Sequence, residues 1–148
     1  MSSGHAVATA VLFTWLGMVL AISFIEAPLK FRAPGVSLQV GLGIGRLVFR
    51  ALNSVEAVLA AVVLITVGTD PPSPLVIVAI GVAVLALATQ LLVVRPRLAH
   101  RSDAVLAAPA VSASGGGSRR SWAHYGYVGL ELVKVIALVL AGAALLGA

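Results

Sequence analysis

Residues 74–94, PLVIVAIGVAVLALATQLLVV, contain no charged side chain. About 20 apolar residues at about 1.5 Å each cross the hydrocarbon core of a bilayer as one helix. Hydrocarbon offers no hydrogen-bond partners, so every backbone polar group must be satisfied inside the segment, which leaves helices or closed barrels. Three further stretches meet the same test, residues 6–26, 41–67 and 122–146. The expected fold is therefore all-α, a four-transmembrane-helix bundle forming one integral membrane domain over 1–148. Ala27-Pro28 should end the first helix, because proline disfavours helical backbone before it. That first run lacks a basic leader and Phe24-Ile25-Glu26 is a poor cleavage site, so it reads as a retained helix. Residues 98–121 include SASGGGSRRS and read as a flexible loop.

Composition agrees with the runs. The chain is 60% hydrophobic and 10% charged, where an ordinary soluble domain is about a quarter charged. It has no cysteine, which removes disulfides, thiolate metal sites and thiol catalysis. The net charge of +5 is no sign of nucleic-acid binding, since no groove-reading or stacking element accompanies it.

What matters is where the positive charges lie. Lys30, Arg32, Arg46 and Arg50 follow the first helix, and Arg95, Arg97, Arg101, Arg119 and Arg120 follow the third. The short turn Thr69-Asp70-Pro71-Pro72-Ser73 on the other side carries only Asp70, and it should join the second and third helices as an antiparallel hairpin. By the positive-inside rule, loops 27–40 and 95–121 are cytoplasmic and both termini lie on the non-cytoplasmic side. Eight arginines against two lysines, with abundant Ala, Val and Gly, suggest a GC-rich bacterial genome and hence the bacterial cytoplasmic membrane.

Two stripes of polar residues interrupt the apolar runs. His124, Tyr127, Glu131 and Lys134 are spaced three, four and three, on one face of the fourth helix. Arg46, Arg50, Asn53 and Glu56 are spaced four, three and three on the second. Both stripes enter from the basic side, and Glu26 and Gln90 lie in the same half of the bilayer, so a cluster open or nearly open to the cytoplasm is expected. An ionised group at the bilayer centre costs about 2.5–3.5 kcal/mol on insertion scales. Glu131 and Lys134 can offset this by pairing at i,i+3. Lys134 can also reach Glu56, and Arg50 can reach Glu131 or Glu26.

These eight residues are the candidate ligand-binding or polar-cluster set; no catalytic residue and no cofactor is assigned. A metal site is not expected. His124 and Glu131 stand two turns apart, and the Glu-x-x-His pair of carboxylate-bridged bundle sites is missing. Gly41-Leu42-Gly43-Ile44-Gly45 follows no strand, so it reads as small residues permitting close helix packing. Trp15, Trp122, Tyr125 and Tyr127 are aromatics that could line a site, Trp122 and Tyr125 fitting an interfacial belt better.

With those motifs placed, the chain resembles the transmembrane protein 205 family and its bacterial relatives, small four-helix membrane proteins. The resemblance rests on Ala27-Pro28-Leu29-Lys30-Phe31-Arg32 with Gly45-Arg46-Leu47-Val48-Phe49-Arg50, on Arg95-Pro96-Arg97, and on Trp122-Ala123-His124-Tyr125-Gly126. It covers all four spans and implies the bundle, while supplying no reaction; Glu131 and Lys134 match no family pattern. Arg50, Asn53 and Glu56 are also similar to the Arg and Asn-x-x-Glu of membrane-associated glutathione and eicosanoid enzymes, whose later Arg-and-Tyr pattern is absent. In those terms Arg46 and Arg50 would hold the carboxylates of an anionic thiol.

The leading functional expectation is a solute-binding, transport or accessory component, not an enzyme. The alternatives are a membrane enzyme on a lipophilic substrate and a structural subunit of a membrane complex. The expected partners are the lipid bilayer and a second copy or another membrane protein, with no nucleic acid. Small residues Gly17, Gly142, Ala143 and Ala144 are candidate contact faces.

Overall fold

A computed structural model describes residues 2–96, 100, 103, 104, 107 and 122–147. Every element among them is helical. Four helices are long and apolar enough to cross a membrane. We label them α1, Ser3–Arg32; α2, Leu38–Thr69; α3, Pro74–Thr89 with a π-wound continuation Gln90–Val94; and α4, Trp122–Leu146.

The helix starts follow from local chemistry. The Ser2 side chain accepts from the His5 N–H and the Ser37 side chain from the Val40 N–H, each satisfying an otherwise unpaired amide at a helix N-terminus. Pro74 opens α3 behind Ser73, where a missing N–H costs nothing. Between α1 and α2 the chain turns at Ala33-Pro34-Gly35-Val36, closed by a bond from the Val36 N–H to the Ala33 carbonyl. Gly35 sits there at φ +79°, as the third position of a type II turn requires.

The expected stop at Ala27-Pro28 does not occur; α1 runs on to Arg32. Proline removes one helix bond and its ring meets the carbonyl four residues back. A π-wound segment lies just ahead of the proline, over Leu20–Glu26, and the Ala27 N–H bonds five residues back to Ile22. The same device precedes Pro96, where Gln90–Val94 is π-wound and the Arg95 N–H reaches Gln90. The wider turn carries the chain past the ring without a break.

Packing follows small residues. Ala79 and Ala83 of α3 and Ala137 and Ala141 of α4 belong to one buried core cluster, and this pair of helices forms the most extensive helix contact. α1 packs on both α2 and α4. The turn makes α2 and α3 antiparallel neighbours in sequence, yet they touch each other far less than they touch α1 and α4. On α2, Gly41 and Gly45 receive the end of α1: the Phe31 ring lies against Gly41, and the Lys30 ammonium stands 2.7 Å from where a Cβ on Gly45 would be. On α4, Gly142 receives Phe13, so this glycine is used within the chain, whereas Gly17 faces open space.

The perimeter is apolar, with Leu47, Ile65, Leu85 and Leu92 each more than two-thirds exposed. Such a surface suits hydrocarbon as solvent. The N-cap Ser2 and His5 of α1 lie against Asp70 in the α2–α3 turn, the Ser2 hydroxyl donating to its carboxylate. At the opposite end lie Lys30, Arg32, Arg46 and Arg50, with Arg46 paired to Asp103 at 2.5 Å. The two ends are referred to below as the Asp70 end and the basic end.

Candidate functional site: a buried carboxylate–lysine cluster

All four helices contribute to one enclosed polar group. Lys134 of α4 is the largest charged side chain inside, fully buried, with Glu56 of α2 and Gln90 of α3 equally enclosed and Glu131 of α4 at 1% exposure. The Lys134 ammonium donates to Glu56 Oε1 at 2.5 Å, Gln90 Oε1 at 2.8 Å and Glu131 Oε1 at 3.3 Å. Those three bonds match the three donors an ammonium possesses. Gln90 Nε2 also donates to Glu131 Oε1 at 3.0 Å, and the Trp15 indole N–H of α1 donates to Glu56 Oε1 at 2.8 Å.

Helix geometry explains the convergence. Glu131 and Lys134 stand three apart and lie on one face of α4. On α2, Glu56 shares its buried face with Leu52, Ala60 and Val63, at helical spacing. Trp15 lies between Leu12 and Leu16 on the buried face of α1, and Gln90 follows Ala83, Ala86 and Leu87 on that of α3. Trp15 is twelve residues from the start of α1, Glu56 thirteen from the end of α2 and Lys134 twelve from the end of α4. At about 1.5 Å per residue the cluster lies roughly 18–20 Å from the Asp70 end of the bundle.

The cluster has two unlike sides. Toward the Asp70 end the bundle is filled by Leu12, Ala60, Val63, Leu138 and Ala141. Toward the basic end it continues through polar side chains: Asn53 one turn from Glu56, Tyr127 one turn from Glu131, and Ser23 two turns from Trp15. The Tyr127 hydroxyl faces Glu131 and Ser23 without closing a hydrogen bond to either. Its ring meets Phe49 edge-on at 5.6 Å, and the Lys30 ammonium lies 5.2 Å from the Phe49 ring centre. Lys30 pairs in turn with Glu26 at 3.3 Å. Five buried polar atoms have no partner here: Glu56 Oε2, Glu131 Oε2, Tyr127 OH, Ser23 Oγ and Asn53 Oδ1.

Of the expected set, Glu56, Glu131 and Lys134 form the centre, and Asn53 and Tyr127 lie beside it. Arg46 and Arg50 do not belong: both are exposed, and Arg46 is paired with Asp103. Spacings of three fall short of a full turn by about 60° each, so the stripe drifts around α2 and the arginines leave the buried face. Arg50 therefore reaches neither Glu131 nor Glu26, whose described partner is Lys30. The Arg50-Asn53-Glu56 grouping of the glutathione-enzyme resemblance is split between surface and core. The cluster was expected to be open or nearly open on the basic side; its centre, Glu56, Gln90, Glu131 and Lys134, is fully buried within the bundle. The side chain of His124 lies outside the described residues, as do most of residues 98–121. Among the described residues, no three His, Cys, Asp or Glu side chains stand together as metal ligands would.

Trp15 and Ser23 are the parts that reading by charge passes over. Trp15 offered a signal, since a buried indole N–H needs an acceptor; Ser23 offered only its place in an apolar run. The shallow groove between α3 and α4, lined by Leu75, Val82, Val133 and Leu140, includes none of the cluster. No family model, no curated protein and no solved structure matches this chain.

Proposed function

We propose that this chain is a small integral protein of the bacterial cytoplasmic membrane, with its basic end in the cytoplasm, whose buried cluster binds a small solute in a transport or accessory role. The observation that carries this reading is the set of five unpartnered polar atoms around the ion-paired centre. Buried polar groups are nearly always hydrogen-bonded, and a group of exceptions in one place calls for a ligand or solvent to complete it. Ionisable residues inside a membrane mark solute or proton paths more often than mere struts. The apolar filling toward the Asp70 end supports binding from one side by a single copy, so net transport would need an oligomer or a partner. The resemblance to the transmembrane protein 205 family enters this proposal for the bundle alone.

Native mass spectrometry of gently solubilised protein tests it. The expected result is a non-lipid mass on the wild type that is absent from Glu131→Gln. Lipid alone on both would favour the second reading, a structural subunit, for which the complete pairing of the Lys134 ammonium is the supporting observation.

A further inference from the structure

We propose that the Glu56–Lys134–Glu131 triad holds one exchangeable proton, taken up and released at the basic end past Tyr127. This rests on the cluster being a functional site and concerns its protonation, apart from any solute bound there.

The centre contains two carboxylates and one ammonium, all enclosed. The groups facing them are neutral on every helix: Trp15 and Ser23 on α1, Asn53 on α2, Gln90 on α3 and Tyr127 on α4. The nearest other charge along the bundle, Arg50, stands six residues from Glu56, about 9 Å of helix rise, and is exposed on the outer face of α2, while Glu26 and Lys30 pair with each other at the basic end. A fully ionised triad therefore carries one uncompensated negative charge in a low-dielectric interior, which is strongly unfavourable. Binding one proton removes it.

The geometry has a place for that proton. Glu131 Oε1 already accepts from Gln90 and Lys134, while its Oε2 is unpartnered. The Tyr127 hydroxyl lies beside Glu131; it donates to an ionised carboxylate and accepts from a protonated one. Either direction of that bond satisfies both groups, so a proton can come and go without stranding one of them. Glu56 Oε1 accepts from both the ammonium and the Trp15 indole while its Oε2 is unpartnered as well, so the one proton belongs to the pair of carboxylates around Lys134. A metal cation would not serve equally, because the ammonium already stands among the three inward oxygens, where such an ion would have to sit.

The two sides of the cluster set the direction of exchange. Release moves the Glu131 proton to the Tyr127 hydroxyl as that group passes its own proton on toward Ser23 and the basic end; uptake reverses both transfers, so each oxygen ends as it began. Toward the Asp70 end the layer of Leu12, Val63 and Leu138 intervenes, and the buried Thr9 beyond it donates its hydroxyl to the His5 carbonyl.

Infrared spectroscopy of the protein in lipid nanodiscs tests this through the C=O stretch of a protonated carboxyl. In neutral buffer the wild type should show such a band, corresponding to one group per chain and shifted in heavy water. Glu56→Gln and Glu131→Gln should each abolish it, because either leaves one carboxylate against one ammonium. Tyr127→Phe should keep the band and slow its deuterium shift by about tenfold or more. No band in the wild type would overturn the proposal, and that measurement depends on no variant folding. A band surviving in both glutamine variants would overturn it equally. A bound solute seen by mass without a protonated carboxyl would sink the proton and leave the solute reading standing.

Discussion

At the scale of single residues, the two carboxylates are not equivalent partners of the lysine. Glu56 stands 2.5 Å from the ammonium and is braced by Trp15, whereas Glu131 stands at 3.3 Å. Glu131→Gln therefore leaves Lys134 paired, and its unfolding free energy in detergent should stay within about 1 kcal/mol of wild type. Removing both acids is different, because it strands a buried ammonium. The double variant Glu56→Gln/Glu131→Gln should lose about 3–5 kcal/mol, read as a large fall in Tm. Equal Tm for single and double variants would contradict the ion-paired centre. The pairing of Glu131 with Lys134 was legible from spacing alone, and so was the reach to Glu56. The roles of Gln90 and Trp15 were not, because a neutral side chain shows its partner only once other helices are positioned around it.

At the scale of elements, the third and fourth helices match the apolar runs 74–94 and 122–146, whose limits are set by proline, charge and composition. The first was misjudged at Pro28, because i→i−5 winding absorbs a proline that periodicity treats as a stop. The second begins at Leu38 behind the Ser37 cap, three residues before the glycine-rich stretch where its apolar run begins. Glycine placement gives a direct test of how α1 and α2 meet. A methyl at Gly41 would overlap the Phe31 ring, while one at Gly43 meets nothing within 4 Å. Gly41→Ala should cost about 1–3 kcal/mol by overpacking. Gly43→Ala should be neutral or stabilising by up to about 1 kcal/mol, from helix propensity. Thermal melting of the two variants side by side checks this, and equal melting would mean that the end of α1 does not dock on Gly41.

At the scale of the whole molecule, orientation can be read without removing any native thiol, because the chain has none. A single cysteine placed at Ser73 should react with a membrane-impermeant maleimide on intact bacterial cells. One placed at Ser37 should react only after the membrane is opened. The reverse pattern would put the basic end outside and contradict the charge argument. The fold class was readable because hydrocarbon allows so few backbone solutions. The lateral order of the helices was not, since it depends on which alanines and glycines face one another across the bundle.

The depth of Lys134 and its neighbours has an electrical consequence. An elementary charge crossing the full membrane changes energy by about 2.3 kcal/mol per 100 mV. A charge that enters from the basic end and stops near the middle of the bundle traverses about half of that drop, worth roughly 1 kcal/mol per 100 mV. Proton loading as proposed is therefore voltage-dependent. With the basic end at the negative side, as proposed, an energised membrane would draw that proton back out of the bundle and a collapsed one would let it settle, so a closed-ended well of this depth would report membrane potential without passing steady current.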